Sequence, residues 1–195
     1  MNAASFSRLV AVFSVVGVSL VGLVACAPDA APVPDPTTPP AANSSTPEPT
    51  STAVEPVGTP VTVSCDELVS AQAMYDYNSN FGLLSDFTPA AGTLAASIVA
   101  DSGVACRWVN QTSGETIDVA VANPPKEQLT ARKNELVTSS NSVPTYGVEG
   151  YFQVNGEIGE AEAFSDPYWI VVTSNYFGEP GDATPIVTAV IDALT

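Results

Sequence analysis

The 195-residue chain carries 21 acidic side chains against 5 Lys and Arg, has no histidine, and bears a formal net charge of -16. A chain this acidic lacks the basic patches that attract phosphate backbones or anionic headgroups, which excludes nucleic acid as a partner. Without histidine there is no Ser-His or Cys-His pair, and no GxSxG, SxxK or P-loop motif stands in for one.

The first segment is an export leader. Met1 to Arg8 holds one positive charge, and Leu9 to Ala25 follows as an uncharged apolar run broken only by small residues. That layout is a secretory signal, too short for a membrane span of about 20 apolar residues. It ends in Leu23-Val24-Ala25-Cys26, which resembles the lipobox of bacterial lipoproteins at all four positions. The resemblance implies a diacylglyceryl group on the Cys26 thiol and cleavage just before it. Two or three acyl chains, at about 0.8 kcal/mol per buried methylene, hold a soluble domain where one would be marginal. Ordinary cleavage after Ala25-Cys26-Ala27 would leave Pro28 next to the cut, where its fixed φ and missing N-H fit poorly. An uncleaved anchor is the other alternative.

The expected organisation is a signal peptide at 1–25, a lipidated cysteine and tether at 26–62, and one globular domain at 63–195. From Ala27 to Thr62 the chain has 10 of its 17 prolines, four acids, no base and no aromatic. It cannot bury enough apolar surface to offset the entropy of ordering, and reads as a partly extended disordered spacer of at most about 110 Å. Similar tails in actinobacterial lipoproteins carry O-linked sugars on threonine.

The domain opens on Ser64 with Glu67 three residues later, a capping box flanked by Val63 and Leu68. A helix is expected from Cys65 to Tyr77, and a second from Thr88-Pro89 to Asp101, with Gly92 weakening it. The period then turns to alternation. Val104 to Asn110 and Thr116 to Ala122 read as a hairpin, with Ile117, Val119 and Val121 on one face. Asn123-Pro124 starts a helix to Ser139 with Leu129, Leu136 and Val137 as its apolar stripe. Val148 to Val154 and Ile158 to Phe164 meet at Asn155-Gly156, a type I′ turn sequence. Tyr168 to Ser174 is apolar on both faces, as a central strand would be. Thr184-Pro185 opens a last helix with Ile186, Val187, Val190, Ile191 and Leu194 on one face. The expected class is α+β: a five-stranded, largely antiparallel sheet packed with amphipathic helices.

With Cys26 assigned to lipid, Cys65 and Cys106 remain. In an exported chain they are expected to form a disulfide rather than two buried thiols, closing a loop worth roughly 4 kcal/mol. No CxxC spacing or histidine supports a metal role. The order "SCDEL", a helical stretch, then "GVACRWVN" is similar to small actinobacterial envelope lipoproteins with a PsbP-like α/β sandwich. The match rests on Cys65, Cys106 and Trp108, covers residues 63 to 194, and implies a non-enzymatic extracytoplasmic domain.

Three constellations bear on chemistry. Asp76 to Gly82 begins like a calcium loop, but its glycine is one place late and Phe87 stands where the bidentate Glu belongs; a polar helix end explains it better. Glu160 and Glu162 share a strand face at a spacing acid/base pairs use, though solvated strand residues opposite Ala161 and Ala163 explain them more simply. From Tyr146 to Phe177 the chain concentrates 8 of its 15 aromatics among acids with no base. Strand aromatics over a packed core account for this, or else a binding face of Tyr151, Glu160, Glu162, Trp169 and Tyr176 that takes a cationic or carbohydrate ligand or an envelope protein. No cofactor is expected. The expected role is a lipid-anchored binding or accessory module on the outer face of the cell membrane. The alternatives are a purely structural subunit of an envelope complex and a carboxylate-dependent hydrolase.

Overall fold

The computed structural model describes residues 57–195. The leader, Cys26 and the tether as far as residue 56 lie outside the described residues. No described helix is long and apolar enough to cross a membrane.

The class is α+β, built on one antiparallel sheet of seven strands rather than five. In chain order these are β1 (Phe81–Leu84), β2 (Val104–Asn110), β3 (Thr116–Ala122), β4 (Asn141–Ser142), β5 (Glu149–Asn155), β6 (Ile158–Ser165) and β7 (Tyr168–Ser174). Their spatial order is β1-β2-β3-β7-β6-β5-β4. The two unexpected strands are the edges. β1 contains Gly82 and pairs only with β2, and β4 is two exposed polar residues, so neither shows the apolar alternation that marks a strand. β7 occupies the centre, as its two apolar faces require.

Five helices cover both faces: α1 (Cys65–Leu68), α2 (Ala71–Asn78), α3 (Leu94–Ala100), α4 (Lys126–Ser139) and α5 (Pro180–Leu194). The expected first helix is two. Val69 is extended and almost wholly buried, and Ser70 caps a new helix by accepting a bond from the Ala73 N-H. The second begins at the cap Thr93 rather than Thr88, because Gly92 at φ 84° breaks the backbone just before it. α4 starts after Pro125, two residues later than expected. The last helix starts earlier, at Pro180, where Glu179 and Asp182 form a capping box; Pro185 is inside it. The β5–β6 turn is shifted by one residue, since Asn155 pairs with Ile158 and Gly156, at φ 65°, takes the first turn position.

α1, α2 and α5 pack on one sheet face, around Met74, Cys106, Trp108, Ile117, Val119, Val121, Ile170, Val172 and Ile186. Cys65 in α1 is bonded to Cys106 in β2. α3 and α4 cover the other face, over Ala120, Ala122, Tyr151, Phe164, Trp169 and Val171.

The packed body begins before Val63. Thr59 donates its N-H to the Asn123 carbonyl (2.8 Å), Val61 donates to the Ser102 carbonyl (3.0 Å), and Val61 packs against the core. A side chain at Gly58 would stand 2.5 Å from the Asp101 carbonyl oxygen, so only glycine lets the strap lie this close.

Candidate functional site: a polar row across the sheet

Strand alternation puts Arg107, Asp118, Thr173, Glu160 and Gln153 on the α3/α4 face, and pairing makes each the direct partner of the next across β2, β3, β7, β6 and β5. Five polar residues in one lateral row interrupt a face whose other side chains, Glu149 and Glu162 apart, are mostly apolar. The outer pairs satisfy one another. Arg107 donates Nε and Nη2 to the two Asp118 carboxylate oxygens, each at 2.6 Å, and its guanidinium lies 4.3 Å from the centre of the Phe87 ring. Gln153 donates Nε2 to Glu160 Oε1 at 2.5 Å. Among the described residues, Glu160 Oε2 and the Thr173 hydroxyl receive and make no such bond.

Arg107, Asp118, Thr173 and Glu160 of the row form the floor of a groove between the start of α3 and β6. One part has a volume of about 230 Å³ over Asp118, Thr173 and Glu160; an adjoining part of about 210 Å³ reaches Arg107, Thr116 and Asn175. Thr93, Asp118, Ile158 and Thr173 line both parts. Ile158 is partly exposed and supplies, with Leu94, an apolar wall. The groove opens at the end of the sheet where β3 and β6 begin. The strap at Asn123 lies beyond the other end of β3, about 20 Å away at roughly 3.3 Å per residue.

Next to the groove, α4 is locked down by charge. Glu162 is only 1% exposed, contrary to the reading of it as a solvated strand residue. Arg132 donates Nη2 to its Oε1 at 2.5 Å and Nε to its Oε2 at 2.9 Å, while Trp169 Nε1 donates to Oε2 at 2.8 Å. The Arg132 guanidinium also bonds Glu135 (2.8 Å) and lies 5.7 Å from the Trp169 ring centre. Burial pushes the Glu162 carboxyl up from its ordinary value, and the bonds from Arg132 and Trp169 only partly offset this. Burial opposes the charge on Arg132, but Glu162 and Glu135 outweigh it and raise that group. At the next residue of α4, Lys133 pairs with Glu149 (2.9 Å), which also accepts the Tyr151 hydroxyl (2.9 Å). Burial is the largest single influence on the Glu149 carboxyl and raises it, yet Lys133 and Tyr151 together outweigh burial and hold the group below the usual carboxylate range.

The five residues read as a binding face therefore do not form one. Tyr151 and Trp169 are buried under α4, Glu162 is bonded on both oxygens, and only Glu160 lines the groove. Tyr176 is elsewhere, in edge-to-face contact with Tyr77 and Phe81. The neighbours Tyr151 and Phe152, and Tyr168 and Trp169, are divided between the two cores, because neighbouring positions on a strand face opposite ways. Val137 is two-thirds exposed, so the inner stripe of α4 is Leu129, Arg132, Lys133 and Leu136. The i, i+3, i+4, i+7 spacing of those four residues was the signal for that stripe, but two charged members hid it. In the calcium-like stretch, Asp76 accepts from Gln72 and Asn78 from the Asn80 N-H, as a helix end would have it. No group of three or more metal-binding side chains converges among the described residues.

No family model, no curated protein and no solved structure matches the chain.

Proposed function

We propose that the chain is a lipid-anchored, extracytoplasmic binding module of the cell envelope, held at the membrane through Cys26 and binding a ligand in the groove above Asp118, Thr173 and Glu160. The observation that carries the binding half is the polar row. A sheet face covered by helices normally buries apolar side chains, and here four of the five polar groups of the row line a gap left by the α3/α4 cover. Clefts with a few convergent polar groups and an apolar wall are the usual form of a small-ligand site. The anchoring half is supported by the leader and by Leu23-Val24-Ala25-Cys26. The strap adds a geometric argument, since the chain joins the domain at the end of β3 away from the groove.

The hydrolase reading loses its pair of acids, because Glu162 has both oxygens bonded and no route to a substrate. The test of the proposal is fractionation of a bacterium expressing the full chain, with mass spectrometry of the mature N-terminus. Lipid on Cys26 and membrane partition are expected, and Cys26→Ala is expected to accumulate as unprocessed precursor. An unlipidated mature terminus in the wild type would overturn the anchoring half.

A further inference from the structure

Resting on that reading, the groove also specifies what it binds. We infer that its ligand is a small hydroxyl-bearing ammonium compound, of the size and chemistry of a single amino sugar. Three observations lead there. The first is charge. Asp118 is neutralised by a two-point contact from Arg107, and Arg132 is committed to Glu162 and Glu135, reaching Glu160 only at 3.9 Å. Glu160 is thus the one acid on the floor with an oxygen, Oε2, left for a ligand, and its side chain is 13% exposed. A single carboxylate oxygen in a partly water-excluded site suits one ammonium group, since a charge-assisted hydrogen bond is about twice as strong as a neutral one. It does not suit a divalent cation, which needs several such ligands.

The second observation is the neighbouring polar inventory. The Thr173 hydroxyl is beside Glu160 in the row, and Thr116 and Asn175 line the adjoining part. Hydroxyls and amides both donate and accept, which matches ligand hydroxyls rather than a simple alkylamine. The third is shape. Ile158 and Leu94 make an apolar wall that can cover the C-H face of a sugar ring, and about 230 Å³ holds one ring rather than a chain of them.

The experiment uses the full mature chain in detergent micelles and amide chemical-shift mapping with glucosamine, glucose and N-acetylglucosamine as probes. Glucosamine is expected to shift the amides of Thr93, Ile158 and Thr173, with glucose and N-acetylglucosamine binding roughly tenfold more weakly. Glu160→Gln should remove the preference for glucosamine, and Ile158→Arg should abolish binding of all three. Both changes are at partly exposed positions, and an unchanged melting temperature checks that they leave the fold intact. Equal affinity for glucose and glucosamine, shifts outside the groove, or no shifts at all would overturn the inference. Those results would leave the lipidation of Cys26 standing, while an unlipidated chain that still prefers glucosamine would defeat the anchoring and keep the site.

Discussion

On the α1/α2/α5 face of the sheet, β2, β3, β6 and β7 present Cys106, Trp108, Val119, Val121, Ala161, Ala163, Ile170 and Val172. On the α3/α4 face the same four strands present Arg107, Asp118, Glu160, Glu162 and Thr173 among small and aromatic residues. The first face is closed by apolar burial and one covalent bond. The second is closed partly by apolar contact beneath α3 and α4 and partly by ion pairs that Arg132 and Lys133 bring down from α4, and only where the helices reach. Apolar burial needs no particular orientation, so the first face can be sealed along its length. A charged cover must place each donor on its acceptor, and the sheet is left open where no donor arrives.

The largest expected effect that separates the two faces is on the covalent one. Replacing both Cys65 and Cys106 by Ser should cost about 4 kcal/mol through the freed unfolded chain, lowering the melting temperature by roughly 10 to 15 °C independently of salt. A change of one or two degrees would show that the apolar face needs no staple.

Next comes the charged face. Arg132→Met should cost about 3 kcal/mol at neutral pH, because it leaves the Glu162 carboxylate buried without its partner. The sign of the pH dependence follows from burial. Without Arg132 the folded Glu162 pKa is raised further above its unfolded value, so the native state binds the extra proton and the penalty shrinks as pH falls through that range. Urea melts at pH 7 and pH 5 check this, and a penalty that is constant or grows in acid would contradict it.

The smallest effect is expected at Lys133→Ala. Its pair with Glu149 is 29% and 42% exposed, so the loss should stay below about 1 kcal/mol and fade in roughly 1 M salt. Because the folded Glu149 pKa is depressed, this contribution is present above the unfolded carboxylate pKa and is lost as pH falls through the folded one. A double-mutant cycle with Glu149→Ala measures it.

The apolar face was the legible one. Ile117, Val119 and Val121 alternate, and Ile186, Val187 and Val190 recur at helical spacing, so the hairpin and the last helix follow from pattern alone. Ser64 and Glu67 likewise form the capping box their spacing announces. The candidate site was mostly illegible, since Arg107, Asp118 and Thr173 come from three strands and meet only through register. Glu160 could be singled out as a strand acid, but its neighbour Glu162 reads the same way and ends up buried. What distinguishes the two is α4 passing over one and not the other, and no local pattern carries that. β1 and β4 were missed for the same reason: an edge strand is defined by its neighbour, not by its own sequence.

The strap and the disulfide together also set a path for tension. A pull on the chain from its N-terminal side first loads two backbone hydrogen bonds, Thr59 to Asn123 and Val61 to Ser102. Beyond them it reaches Cys65 and crosses the covalent bond directly to Cys106 in β2, a strand hydrogen-bonded on both sides. Once those two hydrogen bonds have given way, residues 66–105, with α1 after its first residue, α2, β1 and α3, hang in the closed loop outside the covalent load path. A sustained pull from the N-terminal side would then be borne by the sheet itself, with α3, which borders the groove, left slack.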